Sequence, residues 1–421
     1  MKSRSRSLRT GAAAIAVAAL ALAGCSAEEP KDAGAGTGGL KGDPIKLGSI
    51  LTITNPAWSN ASVKTVNEAW ASHINTDLGG IGGRPVVVES CDDHGDPAKT
   101  SQCLNNLIDS GVVSLVNDSS LAFGANALPA AEKAGLANIG GWPVSPDEYT
   151  SKVNFPTTPG AVGSYPAIAV HFAATGSKKL AVAYTNTPSG QQVGEALKKL
   201  WTELGGAAYF MTEFDPTATD FTPTLTKIAA EKPDAVILAV GEGPAPRMLQ
   251  AAKIAGLTAK IGVSATPATK KVFDAAGEAA NGLYIAFASV PSDYDSADAK
   301  TYRDVLAKSS PGLELTNQTA VAASSMQYAY DILSSIKGDI TKESVLKKLQ
   351  ENTPWKGFLT HPTDPAHAPE SMPQISNPYN LVSQYKDGRF TPAPIDDPGN
   401  LADHIDVVGE LTWIAGTPPK R

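Results

Sequence analysis

Short apolar segments alternate with amphipathic segments along the chain from residue 45 onward. The first apolar segment covers residues 45–51, and the segment after it carries Val63, Val66, Trp70 and Ile74. Apolar residues at every third or fourth position lie on one face of a helix, whereas a short continuous apolar run is typical of a buried strand. The pattern therefore predicts a strand followed by an amphipathic helix that packs against it.

The alternation runs through two series of elements, which are separated by residues 140–179. The predicted strands lie at residues 45–51, 86–88, 112–116 and 136–139, and then at 180–184, 207–210, 234–240, 260–263 and 282–288. One helix is predicted between residues 120 and 134, and two helices are predicted to close the body at 319–336 and 342–352. Strand–helix alternation at this spacing is typical of parallel sheets covered by helices on both faces. We therefore expect the α/β class, with two doubly wound parallel-sheet lobes.

The N-terminal segment has the pattern of an exported protein. Four basic residues within 2–9 precede an apolar run of about 14 residues, which is shorter than the roughly twenty that span a bilayer. This pattern is typical of a secretory signal peptide, predicted over residues 1–24. The run ends in Leu22-Ala23-Gly24-Cys25, which resembles the cleavage motif of bacterial lipoproteins and implies lipidation of Cys25. A plain secreted protein is the alternative. Residues 25–44, rich in Gly, Ala and charged side chains, predict a flexible tether.

Composition and charge narrow the classes of partner. The chain has 421 residues with 35 basic and 42 acidic side chains, and 42% of its residues are hydrophobic. Removal of residues 1–24, which include four basic residues and no acidic one, takes the net charge from −7 to −11. No basic cluster lies beyond residue 9, so a nucleic-acid partner is not expected. No later segment approaches a membrane span in length, so we expect a soluble body.

Two cysteines remain besides Cys25: Cys91 at the end of a predicted strand and Cys103 on the next predicted helix. Outside the cytoplasm such a pair favours a disulfide, and the chain-entropy model gives a bridge over so short a loop about 3 kcal/mol of stability. Metal binding is the alternative, because three aspartates and one histidine lie between the cysteines. No second Cys/His pair has zinc spacing, and these residues match no standard calcium loop. We predict a Cys91–Cys103 disulfide and no metal.

The sequence lacks the common catalytic motifs. Its six histidines form no H-E-x-x-H motif, and neither a G-x-S-x-G elbow nor a P-loop is present. Asp92 and Asp93 form an adjacent carboxylate pair, but adjacent side chains at a strand end point in opposite directions. We expect both aspartates to cap the next helix and to face solvent. The sequence therefore predicts a protein that is not an enzyme and needs no cofactor.

Short motifs follow one another along residues 45–390 in a specific order and spacing. They are Ile45-Lys46-Leu47-Gly48, Gly79-Gly80-Ile81-Gly82-Gly83-Arg84, Asp92-Asp93-His94-Gly95-Asp96-Pro97, Pro129-Ala130-Ala131-Glu132-Lys133-Ala134-Gly135, Thr219-Asp220-Phe221, Pro233-Asp234-Ala235-Val236 and Gly277-Glu278-Ala279-Ala280-Asn281-Gly282. In this order they resemble the type I periplasmic binding proteins, in the branch typified by the leucine/isoleucine/valine-binding proteins of ABC importers. The resemblance implies two lobes that are joined by three hinge crossovers and close over a small ligand.

The resemblance also implies boundaries within the chain. We expect the first lobe at residues 45–162 and 290–354, and the second lobe at residues 163–289 and 355–395. The crossovers are expected near residues 160–164, 287–291 and 353–358. Residues 396–421 then form a C-terminal extension to which no function is assigned.

In the family, hydroxyls and backbone amides after the third and fourth strands hold the carboxylate of an amino-acid ligand. Ser119 and Ser120 match this pattern after the third strand, and hydroxyls near a helix N-terminus suit an anion. Simple N-capping is their alternative role. After the fourth strand the expected hydroxyl position falls on Val144 or Ser145, depending on a slip of one residue. Trp142 is expected either to form a cleft wall or to pack in the core or hinge.

Other loops supply the remaining expected ligand contacts. Where the family commonly has a tyrosine before a glycine, after the first strand of the second lobe, this chain has Ser189. The family's acid after the 260–263 strand is replaced by Ser264, and Glu242 in the neighbouring loop is the expected substitute. Trp58 and Asn60 lie where the family approaches its ligand, and a lid anchor is the other role for Trp58.

Together these features predict an extracytoplasmic solute-binding lipoprotein of an ABC importer. The expected partners are ABC permease subunits and, through the lipid on Cys25, the outer face of the cell membrane, and the protein is expected to be a monomer. The expected ligand is an amino acid or a related small polar or organic molecule. Because Val144, Ser189 and Ser264 depart from the family's amino-acid site, a neutral or anionic small molecule fits these loops at least as well as a branched-chain amino acid. The alternative is a ligand sensor of the same fold that reports a non-amino-acid ligand to a signalling partner.

Overall fold

The computed structural model describes residues 39–55, 59–368, 372–393 and 404–406. The predicted signal peptide, the lipidation site Cys25, the ligand candidate Trp58 and most of the predicted tether and C-terminal extension lie outside the described residues. From residue 45 onward the described chain alternates strands and helices, as the hydrophobic pattern predicts.

The first series of elements builds a five-stranded sheet. In chain order the elements are β1 (Ile45–Leu51), α1 (Ala61–Thr76), β2 (Val86–Asp92), α2 (Pro97–Asp109), β3 (Ser114–Val116), α3 (Phe123–Asn126), α4 (Leu128–Ala134), β4 (Asn138–Ile139) and β5 (Asn154–Phe155). The strand order is β2-β1-β3-β4-β5, and every neighbouring pair is parallel. In the β1–β2 register Leu51 lies opposite Asp92, so these two strands end at the same edge of the sheet.

The second series builds an eight-stranded sheet. In chain order the elements are α5 (Ser164–Ala174), β6 (Lys179–Thr185), α6 (Pro188–Glu203), β7 (Ala208–Phe214), α7 (Thr222–Ala230), β8 (Ala235–Ala239), α8 (Ala245–Ile254), β9 (Lys260–Ser264), α9 (Lys270–Ala276), β10 (Leu283–Phe287), α10 (Ala297–Ser309), α11 (Asn317–Ser335), α12 (Lys342–Gln350), β11 (Tyr379–Lys386), β12 (Arg389–Pro392) and β13 (His404–Asp406). The strand order is β12-β11-β10-β9-β8-β6-β7, with β13 also paired to β11. Strands β6 to β10 pair in parallel, whereas β11 is antiparallel to its neighbours.

Buried side chains cover both faces of each sheet. In β1, Leu47 and Leu51 belong to one hydrophobic cluster, while Ile50 belongs to another. In β8, the neighbours Val236 and Ile237 likewise belong to different clusters. Because successive side chains of a strand point to opposite faces, each sheet is enclosed on both sides. The predicted α/β class with two doubly wound lobes is thereby confirmed.

The three helices that follow β10 in sequence pack against the first sheet. Tyr302 of α10, Met326 of α11 and Leu349 of α12 belong to the same hydrophobic cluster as Trp70 of α1. Trp70 and Tyr302 are among the largest fully buried side chains. The chain therefore enters the second lobe after β5, returns to the first lobe after β10, and enters the second lobe again before β11.

The three crossovers between the lobes are hydrogen-bonded to one another. The backbone N–H of Val290 in the second crossover donates to the carbonyl of Leu359 in the third, at 2.7 Å. Asn377 Nδ2 donates to the carbonyl of Thr157 in the first crossover at 2.8 Å, and to the carbonyl of His361 at 3.1 Å. The segment between α12 and β11, which contains Leu359 and Asn377, is therefore hydrogen-bonded to each of the other two crossovers.

Several features differ from the sequence-based expectation. The helix predicted between residues 120 and 134 is divided into α3 and α4. Pro129 lies in the first turn of α4, where it lacks the N–H that a continuous helix would need. The structure also contains β5, α5, α10 and β13, which the sequence analysis did not predict.

Candidate functional site

The carboxyl ends of the parallel strands define one edge of the first sheet. Thr52, Asp93, Asn117 and Gly140 come directly after β1, β2, β3 and β4, respectively. In α/β proteins with open parallel sheets, small ligands bind in the loops at this edge. The described ligand candidates of the first lobe lie in these loops or follow them directly.

Residues 117–122, called here the first-lobe loop, are anchored at their start by Asn117. This residue has a φ of 54°, a left-handed conformation that asparagine tolerates better than most residues. Its Nδ2 group donates to Asn67 Oδ1 at 2.7 Å and to the carbonyl of Ala322 at 2.8 Å. The start of the loop is thereby tied to α1 and α11.

Ser120 is bound to a buried acid of the same lobe. Its hydroxyl donates to Asp93 Oδ2 and accepts a hydrogen bond from the backbone N–H of Ala122 at 3.1 Å. Asp93 is wholly buried, so the expectation that it faces solvent is wrong. Helix α2 is capped instead by Asp96, whose side chain accepts from two backbone N–H groups of the first turn. The ligand role of Ser120 stays a prediction, because its O–H is directed to Asp93 here.

Ser119 is held through its backbone. Its N–H donates to the carbonyl of Ile50 at 3.1 Å, and its carbonyl accepts from Asn60 Nδ2. Asn60 is wholly buried at the start of α1, and its Oδ1 accepts from Gln318 Nε2 of α11. Asn60, predicted as a ligand contact, is therefore placed behind the loop, where it supports Ser119.

Asp118 is a buried acid that sequence reasoning missed. Its side chain is 2% exposed, and its Oδ1 has no hydrogen-bond partner among the described residues. Burial raises the pKa of Asp118 well above its usual range, and the nearby carboxyl groups of Glu148 and Asp93 raise it further. The first-lobe loop therefore contains a buried carboxyl group whose pKa is raised.

Glu148 organises the loop after β4. Its Oε2 accepts from the backbone N–H of Ser145 at 2.9 Å, from the Ser145 hydroxyl at 2.7 Å and from the Val144 N–H at 3.2 Å. Burial raises the pKa of this carboxyl, against the lowering effect of these hydrogen bonds. The Ser-x-x-Glu spacing of a capping box was the sequence signal for this contact. The hydroxyl of Ser145, a predicted ligand contact, is used within the lobe.

Partly exposed apolar side chains lie beside these polar anchors. Trp142 and Val144 are half-buried, and Leu121 of the first-lobe loop is 58% exposed. The N–H of Trp142 donates to the carbonyl of Asp118 at 3.3 Å, so the two loops are hydrogen-bonded to each other. This edge of the first lobe therefore combines apolar surface with buried polar anchors.

The second-lobe candidates lie on separate loops. Ser264 is 7% exposed at the end of β9, where it is hydrogen-bonded to the half-buried Tyr165 of α5. Glu242, after β8, forms a largely exposed ion pair with Lys271 Nζ at 3.4 Å. Ser189 lies in the first turn of α6. The structure thus connects several first-lobe candidates, Asn60 to Ser119 directly and Val144 to Ser145 through Glu148. The candidates Ser189, Glu242 and Ser264 lie on three different segments of the second lobe.

A family model described as periplasmic binding protein matches residues 44–374. The chain belongs to this family. A search of curated proteins finds no match. The recognition made from the sequence motifs is confirmed.

Solved structures with this fold include proteins that carry different ligands in their names. A branched-chain amino acid transporter substrate-binding protein of Streptococcus pneumoniae, solved with isoleucine, has 19% identity and a TM-score of 0.67 over 84% of this chain and 99% of its own. A solute-binding protein of Rhodopseudomonas palustris, solved with 3,4-dihydroxybenzoic acid, has 18% identity and a TM-score of 0.67 over 87% and 98%. A fatty acid ABC transporter substrate-binding protein of Thermomonospora curvata has 17% identity and a TM-score of 0.67 over 89% and 96%.

The periplasmic binding protein contains the predicted disulfide. Cys91 at the end of β2 is bonded to Cys103 of α2, with their Cα atoms 5.6 Å apart. The described residues contain no group of His, Cys, Asp and Glu side chains that could hold a metal ion. In the same described part of the chain, no helix is long and apolar enough to cross a membrane.

Proposed function

We propose that this periplasmic binding protein is the solute receptor of an ABC importer, anchored to the outer face of the cell membrane by a lipid on Cys25. The observation that carries the proposal is the family match over residues 44–374, which begins at the last residue of the predicted tether. The names of the structural neighbours refer to ABC transporters, which supports permease subunits as partners. The protein would act as a monomer and without catalysis.

Lobe closure about the connected crossovers is the proposed mechanism. Residues 45–162 and 290–354 would move as the first lobe, and residues 163–289 and 355–395 as the second. The packing of α10, α11 and α12 with α1 in one hydrophobic cluster supports this division. A ligand would bind the first-lobe loop first, and the second lobe would then complete its surroundings.

The proposed ligand is a small organic molecule with a polar group and an apolar part. Leu121, Trp142 and Val144 offer apolar surface beside Ser119, and the sequence-based candidate Trp58, outside the described residues, would extend it. Ser120, Ser145 and Asn60 would shape the site through the bonds described above. Ser189, Glu242 and Ser264 would contribute polar groups from the second lobe. Amino acids, aromatic acids and fatty acids, named for the structural neighbours, are the classes to test first.

A thermal-shift screen over these three classes, with amides and short polyols added, tests the proposal. A ligand at one hundred times its dissociation constant should stabilise the folded protein by about 2.7 kcal/mol. Isothermal titration should then give one site per chain, with no product formed from the ligand. Turnover of the bound molecule, or the absence of any stabilising compound across the classes, would contradict the proposal.

A further inference from the structure

A buried amide supports the backbone of the first-lobe loop. Asn60 Nδ2 donates to the carbonyl of Ser119, and the backbone N–H of Asn60 donates to the carbonyl of Thr52 at 2.7 Å. The Asn60 side chain has no exposed surface. Because a buried polar group is costly to leave unpaired, Asn60 fixes the position of the Ser119 carbonyl.

A second amide connects Asn60 with helix α11. Gln318 Nε2 donates to Asn60 Oδ1, and Gln318 Oε1 accepts from the Ser62 hydroxyl at 3.1 Å. An amide NH₂ group only donates and an amide oxygen only accepts. The hydrogen bonds therefore run in one direction, from Ser62 through Gln318 and Asn60 to Ser119.

The residue before Gln318 holds the second crossover. Asn317 Oδ1 accepts from the backbone N–H of Ala288 at 2.9 Å and from the Ser289 hydroxyl at 3.2 Å. Ala288 directly follows β10, and Ser289 is 2% exposed. Asn317 and Gln318 are the first two residues of the 19-residue helix α11, so one helix end contacts both the crossover and the support of the first-lobe loop.

We propose that Gln318 is a positioning residue that couples the first-lobe loop to the second crossover. A change in the crossover at Ala288 shifts the start of α11 through Asn317, and Gln318 transmits the shift to Ser119 through Asn60. This role deepens the proposed function, because it makes the geometry of the ligand loop depend on the state of the hinge. Gln318 acts on the first-lobe loop indirectly, through the hydrogen bonds that connect it to Asn60 and Asn60 to the Ser119 carbonyl.

Hydrogen exchange of the ligand-free full chain tests the coupling at both ends. Gln318→Glu keeps the size and the acceptor of the side chain but removes the donor to Asn60. Asn317→Ala removes the acceptor for Ala288 and leaves Gln318 in place. We expect Gln318→Glu to speed exchange at the Ala288 amide, and Asn317→Ala to speed exchange at the Ser119 amide, each by about threefold or more.

Ser62→Ala is the matched control, because it removes the other hydrogen bond of the same glutamine and keeps the link to Asn60. We expect it to leave both amides unchanged, and amides of β8 to stay unchanged in all three variants. Faster exchange only beside each substitution, with no response at the opposite end, would overturn the coupling. No ligand is used, so failure of the ligand screen and failure of this proposal are separate results.

Discussion

At the scale of single residues, Asp93 determines how the first-lobe loop is built. Its carboxyl group accepts from the hydroxyls of Thr52 and Thr100 at 2.8 Å, from the Ser120 hydroxyl, and from the Gly95 N–H at 2.8 Å. Burying a carboxyl group is costly, and at Asp93 these hydrogen bonds offset the loss of water. The ends of β1, β2 and β3 are therefore connected through one side chain.

Variants of Ser120 and Ser119 distinguish a stabilising role from a ligand-binding role in the first-lobe loop. Ser120→Ala removes a donor from a buried acid, so we expect the free energy of unfolding to fall by about 1–3 kcal/mol in urea titrations. Ser119→Ala leaves the backbone bonds of that residue intact, so it should keep the stability but weaken affinity for any compound found in the screen. Unchanged stability together with lost affinity in Ser120→Ala would instead assign the carboxylate-binding role to Ser120.

The raised pKa of the buried Asp118 carboxyl implies that the free energy of unfolding depends on pH. Because its folded-state pKa is raised, the unfolded chain releases this proton at lower pH than the folded chain, and stability falls as pH rises above about 4. The pKa of Asp77 and that of Asp92 are lowered to about 2, so these two carboxyls affect stability only at more acidic pH. We therefore expect Asp118→Asn to gain stability relative to the wild type between pH 5 and pH 8, measured by urea midpoints.

The exposed Asp109→Asn is the control for the Asp118 prediction, because it changes the net charge by the same amount. It should follow the wild-type pH profile. A profile of Asp118→Asn that also follows the wild type would show that Asp118 ionises normally in the folded chain.

The sequence could place the site loops but not the direction of their side chains. Alternation along β2 indicates that Asp92 and Asp93 point apart, yet it does not show which of them is covered. The side chains that donate hydrogen bonds to Asp93 belong to Thr52, Thr100 and Ser120, which lie far apart in sequence. Such partners become visible only once the strand order is known.

At the scale of elements, the Cys91–Cys103 bridge joins the end of β2 to α2. Replacing both cysteines with alanine should lower the free energy of unfolding by about 3 kcal/mol in urea titrations, because the unfolded chain regains the entropy of a short loop. Cys25→Ser should leave the stability unchanged. Equal stability of the double variant and the wild type would mean that the bridge adds no net constraint.

Element types were predictable where the hydrophobic pattern was long, and β5 was missed because its pattern is too short to detect. The seven-residue β1 and the 19-residue α11 carry clear patterns, whereas β5 has two residues and no alternation to detect. Helix α10 did carry a signal, because its buried Ala299, Tyr302, Val305 and Leu306 recur at helical spacing after an N-cap serine.

At the scale of the whole molecule, a hydrogen bond between the two lobes offers a direct test of lobe closure. Glu314 Oε1 accepts from the backbone N–H of Lys270 at 2.6 Å, while Leu313 packs on the first-lobe cluster and Phe273 lies in a second-lobe cluster. Glu314→Ala removes this bond, so we expect the closed-to-open ratio to fall about fivefold and the radius of gyration from X-ray scattering to rise. Asp304→Ala removes a bond within α10 alone and should leave the radius unchanged. An unchanged radius in Glu314→Ala would show that the Glu314–Lys270 contact does not hold the lobes together.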